Sequence, residues 1–136
     1  MEKVMVVDDD SDFRNIVREV LTDEGFQTVE ARDGLEAVQL SSELLPDVVL
    51  MDLRMPRMDG IEFTRSYRSR EASGRHLPIY ALTANTAEDA MTHCLDAGMD
   101  GFLNKPVEPE QLEAIVERYA MSQHYRNSDE PPWLMG

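Results

Sequence analysis

Apolar residues along this chain come in short continuous runs, separated by stretches where they recur every three or four positions. Val4–Val7 is the first run. The segment after it places Phe13, Ile16, Val17, Val20 and Leu21 at helical spacing, with Gly25 as its expected C-cap. Gln27–Glu30 alternates and is only half apolar, the pattern of an edge strand. Asp33-Gly34 opens a second helical segment carrying Leu35, Ala37, Val38, Leu40 and Leu44, and Pro46 closes it. Val48–Met51 is again fully apolar, Met55–Gly60 reads as a loop, and a helix is expected over Gly60–Ser69. Ile79–Leu82 is the third buried run, followed by a helix over Thr86–Ala97 with Gly98 as its cap. Phe102-Leu103 makes a short last strand and Pro109–Met121 a last helix.

Five strand–helix units in strict alternation predict an α/β fold, a doubly wound parallel sheet with helices on both faces. Strands buried on both faces must be apolar throughout, which fits the runs at 4, 48 and 79 and leaves 27–30 for an edge. The consistent strand order is 2-1-3-4-5, the flavodoxin-like arrangement. The periodicity stops after Ser122, so residues 1–122 read as one domain and 123–136 as a tail or linker.

Composition narrows the chemistry. The 136 residues are 42% hydrophobic, enough for a core, and carry 27 Asp+Glu against 13 Lys+Arg, a formal charge of −14. So acidic a surface argues against nucleic-acid binding by this domain itself. A single cysteine, Cys94, allows no internal disulfide and reads as half-buried packing. No apolar run reaches membrane-spanning length, and no signal-peptide core opens the chain, so a soluble, cytoplasmic domain is expected.

In such a sheet, ligands bind outside the carboxyl ends of the strands, where the strand order reverses. The polar residues there come from four strands. The first runs into Asp8 and Asp9, the third into Asp52, the fourth into Thr83, and the fifth into Asn104 and Lys105. Asp10, Ser11 and Asp12 are instead read as the start of the first helix. Three carboxylates, a hydroxyl and an ammonium suit phosphoryl transfer. Carboxylates hold Mg²⁺, one of them can act as nucleophile, and positive charge steadies the equatorial oxygens. On this reading Asp8 and Asp9 are crowded because a divalent cation stands between them and Asp52. His76, His93 and His124 lack metal-ligand spacing and read as surface residues. Met55 and Met58 border the loop after Asp52, and Trp133 belongs to the tail.

In order and spacing, VVDDDSDFRNIV, VVLMDLRMPRMDG, ALTAN and GFLNKP resemble the receiver domain of two-component response regulators. The stretch from Leu77 to Leu112 is most similar to receivers of hybrid sensor kinases. The resemblance implies that Asp52 is the phosphoacceptor, and that Asp8, Asp9, Asp52 and the Arg54 backbone carbonyl hold Mg²⁺. It implies that Thr83 and Lys105 bind phosphoryl oxygens, with a cis bond between Lys105 and Pro106. Phe102 stands at the aromatic switch position, which with Thr83 would couple the site to the surface of helix four, strand five and helix five. Arg54 and Asn85 occupy the positions that tune phosphoryl lifetime. The implied donor is a histidine kinase or histidine phosphotransfer domain. A tethered output or kinase domain and a phosphorylation-dependent dimer are further implied possibilities. Two rival readings are a small phosphatase using Asp8 as nucleophile and an interaction module that is never phosphorylated.

Overall fold

The computed structural model describes residues 3–54, 58–71, 76–84, 88–105 and 108–115. The order is β1 (Lys3–Val7), α1 (Ser11–Asp23), β2 (Gln27–Ala31), α2 (Gly34–Leu44), β3 (Val48–Asp52), α3 (Gly60–Arg70), β4 (Ile79–Thr83), α4 (Glu88–Ala97) and β5 (Gly101–Asn104). Residues 109–115 are helical as well. All strands pair in parallel in the order β2-β1-β3-β4-β5, as the apolar runs predict.

Side chains alternate between the faces of a strand, and here that alternation divides the core in two. Met5, Val7, Val49, Met51, Ile79 and Ala81 pack on one face with Phe63 and Cys94. Val4, Val6, Val48, Leu50 and Leu82 pack on the other with Val17, Leu21 and Leu112. Neither face of β1 or β3 meets water, which is why their runs are apolar without a break. β2 has only Ala31 fully buried, as an edge strand should.

Three acids near the carboxyl edge of the sheet are accounted for by helix starts. Asp10 accepts from the amides of Asp12 and Phe13, Asp33 from that of Glu36, and Asp59 from that of Glu62. Each satisfies N–H groups that a first helical turn leaves unpaired. Among the described residues, Asp8, Asp9 and Asp52 cap no helix.

The opposite edge of the sheet has its own ion cluster. Arg68, at the end of α3, donates to the carbonyls of Gly98 (3.0 Å) and Leu77 (2.7 Å) and to the carboxylates of Glu71 (2.8 Å) and Asp100 (3.0 Å). Those carboxylates in turn accept from the amides of Leu77 and Ile79, which lead into β4. His76, read from the sequence as a surface residue, has half of its side chain exposed and is bonded to Asp100.

Cys94 differs from its expectation. It is buried, at 2% exposure, because α4 lays it against the core rather than at a helix margin. Burial pushes its thiol pKa up, which keeps it in the unreactive protonated form. No described helix is long and apolar enough to cross a membrane.

Candidate functional site

The ladders bring the strand ends level. Val7 pairs with Ala31 and Met51, Asp52 with Leu82, and Thr83 with Asn104. Asp52 and Thr83 are therefore the last residues of β3 and β4 rather than the first beyond them. Asp8 follows β1 and is completely buried, its side chain 0% exposed. Asp9 is exposed and Asp52 lies between the two extremes.

One carboxylate oxygen from each of Asp8, Asp9 and Asp52 lies within 4.8 Å of the others. The Lys105 ammonium sits over this group, 2.6 Å from Asp8 Oδ2 and 3.3 Å from Asp52 Oδ2. The backbone N–H of Arg54 donates to Asp52 Oδ1 at 3.1 Å, so that among the described residues each Asp52 oxygen has a donor. Asp52, Arg54, Thr83, Ala84 and Lys105 line an open cleft of about 490 Å³. Asp8 does not line it.

Electrostatics follow from this crowding. Burial raises the Asp52 pKa most. The Arg54 N–H opposes it, the Asp8 charge adds to it, and Lys105 lowers it; the balance stays above the ordinary carboxylate value. For Lys105, burial acts to lower the pKa. Its hydrogen bond to Asp8 and the charges of Asp52 and Asp8 outweigh that and hold the ammonium above the ordinary lysine value. The cation is thus fixed as a cation, beside a carboxylate less well solvated than one in water.

Three carboxylate oxygens, with no sulfur or imidazole among them, fit a hard divalent cation such as Mg²⁺.

Of the residues singled out in the sequence, Asp8, Asp9, Asp52 and Lys105 converge, and Arg54 and Thr83 border the same cleft. Phe102 stands apart, partly buried against the core face that carries Phe63. Asn85, Pro106, Met55, His124 and Trp133 lie outside the described residues. Arg14 escaped the sequence reading. Its guanidinium donates to the Asp8 carbonyl and, at 3.3 Å, to Glu30 on β2, with only 12% of the side chain exposed. In sequence it is one more helix charge; only the adjacent edge strand shows what it holds.

Gly60 presses the start of α3 onto the same spot. A Cβ there would meet the Asp52 carbonyl oxygen at 2.8 Å and Met51 Cγ at 3.1 Å. Gly60→Ala should therefore cost about 1–3 kcal/mol, read as a lower urea midpoint. An unchanged midpoint would show that α3 yields freely.

Against known proteins, residues 4–117 carry the sequence pattern of the response regulator receiver domain. The chain is 37% identical over 134 residues to the DNA-binding response regulator MtrA of Mycolicibacterium paratuberculosis, covering 98% of this chain and 56% of that protein. It thus spans about half the length of that relative. It is similar to the chemotaxis protein CheY4 of Vibrio cholerae, with TM-score 0.81, 34% identity and 88% and 98% of the two chains covered. It is also similar to the receiver domain of the sensor histidine kinase PA1611 from Pseudomonas aeruginosa. There the TM-score is 0.78 at 34% identity over 87% and 96% of the chains, and that structure has magnesium coordinated in its active site cleft.

Proposed function

The chain belongs to the response regulator receiver domain family of two-component signalling, and from that premise we propose that Asp52 takes a phosphoryl group from a partner's phosphohistidine. The observation that carries this reading is the convergence of Asp8, Asp9 and Asp52 under the Lys105 ammonium. In the transfer, an Asp52 oxygen forms the new P–O bond, the P–N bond to the imidazole breaks, and the donor histidine leaves neutral once protonated. Asp8, Asp9, Asp52 and the Arg54 carbonyl would hold Mg²⁺. When bound, the ion supplies neutralising charge to the phosphoryl oxygens. Lys105 places a fixed cation against one of those oxygens, and the Thr83 hydroxyl at the cleft wall donates to another. Water later hydrolyses the acyl phosphate, and Arg54 and Asn85 stand at the sequence positions that tune its lifetime.

Two features of the site support Asp52 over Asp8 as nucleophile. Asp52 lines the cleft and is partly exposed, whereas Asp8 is completely buried and does not line it. The signal then passes through Thr83 and Phe102 to the face of α4, β5 and the last helix, where a partner or tethered domain reads it. Residues 1–122 are the switching unit on this reading and 123–136 its tail or linker. The likeness to MtrA supports a tethered output domain, and that to PA1611 a tethered kinase. The donor is a histidine kinase or phosphotransfer domain in either case.

Intact mass after incubation with a small phosphodonor tests the reading. A single adduct should form only with Mg²⁺, vanish in Asp52→Asn and form more slowly in Asp8→Asn. An adduct that persists without Asp52 would refute it.

A further inference from the structure

Phe13 has two sides. Its N–H is tied to the Asp10 cap at 3.3 Å, which fixes it in the first turn of α1. Its side chain packs against the core face formed by Val4, Val6 and Val17. The Lys105 ammonium stands over the ring, 4.6 Å from its centroid. That distance is well inside the range where a cation is drawn to an aromatic face. Among the described residues the ammonium thus meets Asp8 at 2.6 Å, Asp52 at 3.3 Å and the ring.

We propose that Phe13 is a positioning residue for phosphoryl transfer, its ring face setting where the Lys105 ammonium stands; this rests on the function proposed above. The two carboxylates alone cannot set that position. They pull unequally, toward the buried Asp8, and the charge at Asp52 changes once it carries a phosphoryl group. The ring attracts the cation whatever the state of Asp52. It takes no N–H in the sense of a hydrogen bond, so the ammonium keeps its donors for oxygen. Because the core backs the ring, the cation is preorganised rather than gathered during the reaction, the condition under which electrostatic stabilisation acts best.

The test is a series of mono-, di- and trifluorophenylalanine at position 13, with Phe13→Leu and Phe13→Tyr, all in the full chain. Fluorine drains the negative face of the ring with little change in size, so packing alone would leave the rates flat. The readout is the rate of Mg²⁺-dependent adduct formation with a small phosphodonor, alongside Asp52→Asn. The rate should fall stepwise with fluorine count, reach about 3- to 10-fold below wild type in Phe13→Leu, and return in Phe13→Tyr. Flat rates across the fluorinated series, with wild type labelled on Asp52, would overturn the role of Phe13 and leave the function standing. No Mg²⁺-dependent adduct on wild type, or one that survives Asp52→Asn, would overturn both.

Discussion

Lys105→Met is expected to lose about 2–4 kcal/mol of stability without divalent metal and to regain much of it when Mg²⁺ is added. Asp8 is fully buried and its cation is 2.6 Å away, with 23% of the Lys105 side chain exposed. Removing one partner of a buried pair strands the other, at a typical cost of about 3–5 kcal/mol, eased here by that partial exposure. Methionine leaves Asp8, Asp9 and Asp52 with oxygens within 4.8 Å and no ammonium between them. Each close carboxylate pair repels by about 4 kcal/mol at an effective dielectric near 20. A divalent cation relieves that repulsion, so the variant should gain more from Mg²⁺ than wild type does. Urea unfolding in EDTA and in Mg²⁺ reads both quantities. Equal Mg²⁺ gains in the two proteins would show that Lys105 does not share the metal's carboxylates. Phosphorylation should also slow at least ~100-fold, as the loss of a charge aimed at the transition state does.

The second large effect lies at the other edge of the sheet. Arg68→Met is expected to cost about 3–5 kcal/mol, because Arg68 is only 16% exposed and ties Glu71 and Asp100 to the carbonyls of Gly98 and Leu77. The phosphorylation rate of the folded variant should stay at the wild-type value, since none of these groups lines the cleft. Urea unfolding and adduct formation below the transition separate the two quantities. A rate that fell along with stability would mean that the base of β4 governs the position of Thr83. The two ion clusters look alike in a roster of salt bridges. One neutralises acids that a ligand is to share, and the other completes hydrogen bonds that the loops into β4 and β5 need.

The strands were legible because a parallel sheet covered on both faces leaves no polar position along the buried runs of β1 and β3, and Val4–Val7 and Val48–Met51 show none. The acids of the site were legible for the complementary reason. Polar residues that directly follow buried runs fall at one edge once the runs are parallel. Capping then sorted the acids. Asp10, Asp33 and Asp59 serve helix starts, while among the described residues Asp8, Asp9 and Asp52 serve none. Phe13 was hidden because its helical spacing is that of a core residue, which it also is. Only the fold brings Lys105, from the far end of the chain, over its ring. Arg14 and Arg68 were hidden because much of what they bind is backbone carbonyl, which every residue carries and no motif marks. Cys94 was read as half-buried because helical spacing gives a direction but not how deep α4 settles against Phe63 and its neighbours.

Asp52 is expected to carry the phosphoryl group, and the most direct measurement finds it on the wild-type chain. The protein is phosphorylated with a small phosphodonor and Mg²⁺, reduced with borohydride, which converts an acyl phosphate to the alcohol, and sequenced by peptide mass spectrometry. Homoserine at position 52, and nowhere in the peptide that holds Asp8 and Asp9, is the predicted result. Homoserine at position 8 would contradict the account and place the nucleophile at the end of β1.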